Sequence, residues 1–347
     1  MKKIRLGLVG CGGMMAAHAR SIQEVEGIEI TATCDINIQS AEKAAAAVGA
    51  GYVTTDYTTM SDMVDAVLVA LPHHLHYTCG IFFARKGKHI LMEKPLCNTE
   101  EECLRLIQVC EQEHVVLMCA YPVRHWPEMI MLKELVDSGK YGRPFMMSVW
   151  TEQLTICDEL NWGASACLGG GQLFSHGCHY IDIMLWFLGK PVSGTHVGTN
   201  LGTPWMLKEG TSAVTLKFES GAIGYHGATW GARGSRMGSD FQIHTEKAML
   251  EFHKESGEVR VYDQEAPHVP GIISSEQGYT VVWKRPERLP TKQTQYEIRH
   301  FLDCIHTGKK PVTDGYTALQ GLRLIWKLYD AEAHGVVADL RDCALPE

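Results

Sequence analysis

The chain has 347 residues, enough for roughly two domains of about 150 residues each. Hydrophobic residues make up 45% and charged residues 21%, a mix that fills a core and excludes global disorder. The formal net charge is −8, from 32 basic and 40 acidic side chains without a basic cluster; this argues against nucleic acid as the main partner, and no apolar run approaches the ~20 residues of a membrane-spanning helix.

The first segment, 4–9, reads as a strand entering a turn. Leu8-Val9-Gly10-Cys11 is not taken as a lipid-attachment site, because the apolar stretch before it is short and Arg5 interrupts it. Strands are also expected at 28–34, 66–70, 89–92 and 115–119, with helices at 13–25, 39–48, 74–86 and 99–114. This alternation is the pattern of a doubly wound parallel sheet. Thr99 followed by Glu102 forms a capping box. The twelve cysteines show no C-x-x-C spacing and several fall in apolar segments. That is the usage of small buried hydrophobes in a reducing, cytoplasmic setting.

After residue 121 the character changes. A helix at 127–138 leads through a turn-rich stretch to a strand at 145–151. A glycine run at 169–171 precedes a long apolar helix at 172–188. Strands follow at 213–218, 222–229, 240–244, 248–253 and 258–262. The stretch 264–290 reads as loop-rich, and helices at 295–306 and 316–334 close the chain. All eight tryptophans lie after residue 125. Two domains are expected, 1–122 and 123–347.

Gly10-Cys11-Gly12-Gly13-Met14-Met15 lies between the first strand and first helix. Such a turn lets backbone approach a pyrophosphate, with helix N–H donors aimed at it. Met15 stands where the third glycine of G-x-G-x-x-G is usual, which predicts a wider helix–strand crossing. Asp35 ends the second strand, where an acid accepts hydrogen bonds from the adenosine ribose; its other reading is a helix N-cap. A carboxylate there repels a 2′-phosphate, and Ile36-Asn37-Ile38 brings no cation. NAD is therefore expected over NADP.

Together with this turn, several motifs resemble one family of sugar and polyol oxidoreductases, the glucose–fructose oxidoreductase/inositol dehydrogenase/MocA (Gfo/Idh/MocA) group. They are Leu71-Pro72-His73-His74-Leu75-His76, Gly87-Lys88-His89-Ile90-Leu91-Met92-Glu93-Lys94-Pro95, Tyr121-Pro122-Val123-Arg124, Gly169-Gly170-Gly171-Gln172-Leu173 and Gly177-Cys178-His179-Tyr180-Ile181-Asp182. The resemblance implies an N-terminal Rossmann domain followed by an α/β domain with an open, mostly antiparallel sheet. It implies that nicotinamide and substrate meet in the cleft between them. The closing helix is expected to pack back toward the first domain, and the far face of the second sheet to form a homodimer or homotetramer interface. It assigns catalysis to Lys94 and His179, and cofactor contacts to Gly10, Gly12, Gly13, Met14, Met15, Asp35, Leu71, His73, His76, Glu93 and Lys94. It also suggests a cis peptide at Pro95.

Oxidising an alcohol needs a group that stabilises developing alkoxide and one that takes the proton, which an ammonium and an imidazole supply. On the residues alone, Lys94 also reads as a surface lysine at a strand end, and His179 as a core histidine; the resemblance favours catalysis for both. Many family dehydrogenases carry Asp four residues before this histidine. Here Ser175 stands one helical turn away on the same face; it hydrogen-bonds without adding charge, and His176 can compensate. His73, His74 and His76 diverge at a strand–helix turn with no carboxylate nearby, so no metal is expected. Tyr121 and Arg124 read as substrate contacts or as interdomain packing and a salt bridge. Trp162 reads as a sugar-stacking residue or as core. The expected reaction is hydride transfer between a secondary hydroxyl of a sugar, glycoside or cyclitol and NAD. The alternative is a glycosidase or lyase that retains its NAD and oxidises a ring hydroxyl transiently before elimination.

Overall fold

The computed structural model describes residues 3–156, 169–235, 239–263, 278–285 and 292–343. Trp162 and most of 264–290 lie outside them. The chain divides into two compact units. One is Met1–Pro122 with Cys167–Gly169 and Pro290–Arg323; the other is Val123–Ala166 with Gly170–Leu289 and Leu324–Glu347.

In the first unit, strands β1 (Ile4–Val9), β2 (Ile28–Cys34), β3 (Tyr52–Thr54), β4 (Ala66–Val69), β5 (His89–Glu93) and β6 (Leu117–Ala120) form a parallel sheet. Its order, β3-β2-β1-β4-β5-β6, is that of a Rossmann sheet, and it reverses direction between β1 and β4, where such folds bind ligands. Strands β4 and β6 are buried along their whole length, as expected of a sheet covered on both faces. Helices α1 (Gly13–Ile22), α2 (Ile38–Val48), α3 (His76–Arg85) and α4 (Glu100–Gln112) connect them. The capping box forms one residue wider than its usual closure: Thr99 Oγ1 accepts the Glu102 N–H (3.2 Å), while Glu102 accepts the N–H of Asn98 (3.1 Å).

The second unit begins with α5 (Pro127–Asp137) and β7 (Pro144–Glu152). A π-helical turn, Leu173–Gly177, then leads into α6 (Cys178–Leu188). The expected helix over 172–188 therefore forms without a break, but its first turn is π-helical rather than α-helical. Gly177 packs closely on Leu173, whose Cδ1 would lie 2.7 Å from a Cβ added there and would have to shift. Strands β8 (Pro191–Thr199), β9 (Thr211–Phe218), β10 (Ile223–Thr229), β11 (Ser239–Thr245), β12 (Met249–His253), β13 (Glu258–Tyr262), β14 (Thr280–Lys284) and β15 (Ala338–Asp339) complete a nine-stranded sheet. The β7–β10 pair is parallel and the other pairs antiparallel. Strand β14 corrects the loop-rich reading of 264–290 over its own five residues. Alternation puts Phe241, Ile243, Leu250, Phe252, Val259 and Val261 in the core with Ile181 and Met184 of α6.

Helices α7 (Gln295–Thr307) and α8 (Gly315–His334) follow. Ile298, Phe301 and Leu302 of α7 share one buried cluster with Leu6, Leu8, Met15 and Ile22 of the first unit. Their i, i+3, i+4 spacing is the apolar stripe of a helix laid on a core. Thr313 closes the edge of β6: its carbonyl accepts the Cys119 N–H and its hydroxyl donates to Cys119 O, both at 2.8 Å. Among the described residues no helix is long and apolar enough to cross a membrane. The ten described cysteines are free thiols, nine of them buried.

Candidate active site

In the first unit, β1 delivers Gly10 at φ 85°. A Cβ there would sit 2.4 Å from Ala70 O, so the turn needs glycine both for conformation and for closeness to β4. At Gly12 and Gly13 a Cβ would meet nothing within 4 Å, so the space above the turn is open. Gly12 caps α1 without a side-chain bond, which leaves the helix's first N–H donors for an anion. Met15 is packed into the core in place of the third glycine.

Asp35 fastens this turn to β2. Its Oδ2 accepts the Cys11 N–H at 2.7 Å and its Oδ1 accepts the Asn37 N–H at 2.9 Å. The α2 N-cap is Asn37, so the cap reading of Asp35 does not hold. Burial, with the Asp35 charge, pushes the Cys11 thiol up to about 12, so it is no nucleophile at neutral pH. A cavity of about 440 Å³ runs from Cys11, Gly12 and Gly13 along α1 and α2 past Arg20, Ser40 and Lys43. Ile36, beside Asp35, is 94% exposed. These features fit a dinucleotide: open backbone donors for its diphosphate, an acid for a ribose and an apolar surface next to it.

At the end of β5, two strands from β1, Lys94 is half-buried and its peptide to Pro95 is cis. Glu93 precedes it, with Oε1 2.7 Å from Nε2 of the fully buried His18. Burial alone would push the Glu93 carboxyl up. The His18 hydrogen bond and charge, the Lys94 charge and the Lys94 N–H together hold it below its ordinary value.

His76 lies with Nδ1 2.8 Å from Pro95 O and Nε2 2.9 Å from Leu71 O. It ties together the segments that follow β4 and β5. His73 Nδ1 is 2.8 Å from Gly169 O; burial, then the Lys94 charge, pushes its pKa down to about 2, so the ring is neutral beside the ammonium. His74 is exposed. Tyr121 follows β6 and is buried, its N–H donating to Cys119 O at 3.0 Å.

In the second unit, Ser175 and His176 sit in the π-helical turn and His179 in the first turn of α6. The α-helical spacing assumed between Ser175 and His179 therefore changes to a wider turn, a feature often found at functional sites. Ser175 is buried, and the His176 and His179 rings lie 5.9 Å apart, edge to face. Arg124 donates from Nε to Asp182 Oδ2 (2.7 Å) and from Nη2 to Oδ1 (2.8 Å), holding α6 by a buried bidentate pair. Glu209 accepts the Tyr329 hydroxyl (2.6 Å) and the Leu173 N–H (3.0 Å), fixing the start of the π-helical turn.

Sequence reasoning passed over four residues. Gln172 is fully buried, and its amide oxygen and nitrogen have no hydrogen-bond partner among the described residues; its place after the glycine run was the available signal. Glu297 of α7 is fully buried with neither carboxylate oxygen bonded, and burial and the Glu93 charge raise its pKa well above the ordinary value. His18 and Lys292 carried no motif.

Residues 4–121 match the GFO_IDH_MocA family, described as an oxidoreductase family with an NAD-binding Rossmann fold, and residues 129–251 match the GFO/IDH/MocA C-terminal domain. The rhizopine catabolism protein MocA of Rhizobium meliloti is 32% identical over 210 residues, 58% of this chain and 63% of that protein. Inositol 2-dehydrogenase 2 of Saccharopolyspora erythraea is 30% identical over 228 residues, 63% of this chain and 65% of that protein. The matched stretch thus spans less than two thirds of each of these curated relatives. The solved complex of levoglucosan dehydrogenase with NADH and L-sorbose has the same fold, with a TM-score of 0.87 over 98% of this chain and 99% of that one at 23% identity. The chain belongs to the Gfo/Idh/MocA family of NAD-binding oxidoreductases.

Proposed function

We propose that this protein oxidises a secondary hydroxyl of a sugar, glycoside or cyclitol, reversibly, with NAD as its redox partner. The observation that carries this is the placement of Lys94 beside the buried Glu93–His18 pair, in the same sheet as the open glycine turn and Asp35. Relatives named for rhizopine catabolism and inositol 2-dehydrogenation support the substrate class.

Gly10, Gly12, Gly13, Met14 and Met15 form the cradle for the diphosphate, Asp35 takes the adenosine ribose hydroxyls, and Ile36 offers the adenine an apolar surface. Leu71, His73, His76 and Glu93 shape the side that faces Lys94. Bound NAD supplies the hydride acceptor. The Lys94 ammonium stabilises negative charge growing on the substrate oxygen, and neutral His73 adds no competing charge beside it. His179 takes the hydroxyl proton. Tyr121, Ser175 and His176 contribute polar groups toward the substrate, and Arg124 acts by holding Asp182 and so the helix that carries His179. Asp35 disfavours a 2′-phosphate, so NAD is preferred over NADP. Trp162 is kept as a candidate sugar-stacking residue.

The protein works as a homodimer or homotetramer through the outer face of the nine-stranded sheet, where Trp150 packs on Tyr225 (ring centroids 5.2 Å apart) and Phe145 is 53% exposed. Buried thiols suit a cytoplasmic setting. The test is a panel of sugars, glycosides and cyclitols with NAD and with NADP, following NADH and released aglycone together. About one NADH per oxidised product is expected. Glycoside cleavage with no net NADH would replace this reading by the cofactor-retaining lyase.

A further inference from the structure

We infer that Lys292, from the segment just before α7, is a cofactor-binding residue that contacts the diphosphate of NAD; this rests on the NAD-dependent reading above. Lys292 is separated from the glycine-rich turn by nearly the whole chain, yet its Nζ lies 3.2 Å from Sδ of Met14, in the first turn of α1. A thioether is a weak acceptor, so this contact leaves the ammonium poorly satisfied. Among the described residues no carboxylate lies within ion-pair distance of it.

Its electrostatic neighbours explain why. Glu93 is the acid it senses, with Lys94 and Arg20 as nearby cations, and Glu93 is already engaged by His18 at 2.7 Å. The residue is exposed overall, while burial of its ammonium is the first influence that lowers its pKa, a cost that an anion at the turn offsets. Two sets of donors thus lack an anion at one place: the first N–H groups of α1, capped by no side chain, and this ammonium. The space above Gly12 and Gly13 is open. A diphosphate laid along the turn satisfies both, with the lysine acting as a point charge that follows the oxygen it meets. α7 is anchored by Ile298, Phe301 and Leu302 in the Rossmann core, so the segment bearing Lys292 is held near the turn. Position 292 lies outside every phosphate-binding motif of the sequence, and only folding brings it there.

The experiment measures dissociation constants of NADH and of ADP-ribose, which keeps the diphosphate but lacks the nicotinamide, for the full-length wild type, Lys292→Ala and Lys292→Arg by calorimetric titration. Lys292→Ala should weaken both ligands about tenfold, the scale of a lost charge-assisted hydrogen bond. Lys292→Arg should restore most of the loss, and the Ala defect should shrink as salt rises. Unchanged affinity of Lys292→Ala for both ligands overturns the inference while leaving NAD use intact. A loss confined to NADH also overturns it, since the lysine would then serve the nicotinamide end. Wild-type protein that binds neither ligand overturns the cofactor reading and this inference with it.

Discussion

Glu93 Oε1 and His18 Nε2 lie 2.7 Å apart, both side chains buried, and Glu93 immediately precedes Lys94 in the chain. The pair fixes the end of β5 from the side of α1, so the residue proposed to meet the substrate oxygen stands on a rigid strand end. Removing one partner leaves the other buried and uncompensated. Glu93→Ala should therefore cost about 3–5 kcal/mol in urea unfolding. The folded-state pKa of Glu93 is lowered, so its contribution is present above the ordinary carboxylate pKa and is lost as pH falls through the folded value. The variant should show a weaker acid-side decline in stability than the wild type; an identical decline would remove Glu93 from the account.

Lys94→Ala should reduce kcat by about 10²–10⁴ with far-ultraviolet circular dichroism unchanged and NADH binding retained. A variant that turns over at the wild-type rate would shift the electrostatic role to another group. Lys94→Arg keeps the charge but not its point-like form and should recover only part of the rate.

Asp35 accepts two backbone N–H groups while facing the open turn. Asp35→Ala should weaken NADH binding about tenfold and narrow the gap between NAD and NADP. Lys43 lines the same cavity and would then meet a 2′-phosphate without an opposing carboxylate. Comparable wild-type affinities for the two nucleotides would contradict the assigned preference.

Glu297 is an acid whose folded pKa is raised by burial and by the Glu93 charge. Between the ordinary carboxylate pKa and that higher value the folded state binds more protons than the unfolded state, so stability falls as pH rises through the window. Glu297→Gln keeps the shape without the titration. It should flatten that fall in a thermal-unfolding series across pH. A slope equal to the wild type's would mean that other groups set it.

Much of the first unit was readable because its strands are short, largely apolar or β-branched segments bounded by glycine or acid: β1 and β2 have the expected bounds. β3 is only three residues long and carries no run. β8 begins with proline and contains two glycines, a poor strand composition that only its neighbours stabilise. The π-helical turn at Leu173–Gly177 lies within a segment whose apolar pattern reads as ordinary helix, so no period reveals it. At the site, Asp35 and Lys94 were marked by position in a motif. Glu297 looked like an ordinary acid in a helix's first turn, and Lys292 like any exposed lysine; both gain meaning from a return of the chain that local pattern does not encode.

The most direct test of the central claim uses a substrate deuterated at the carbon bearing the reactive hydroxyl, with NAD and the wild-type protein. Stoichiometric deuterium in released NADH, matched by ketone, is the expected result. Deuterium that stays with the carbohydrate while NADH fails to accumulate would contradict a net dehydrogenase.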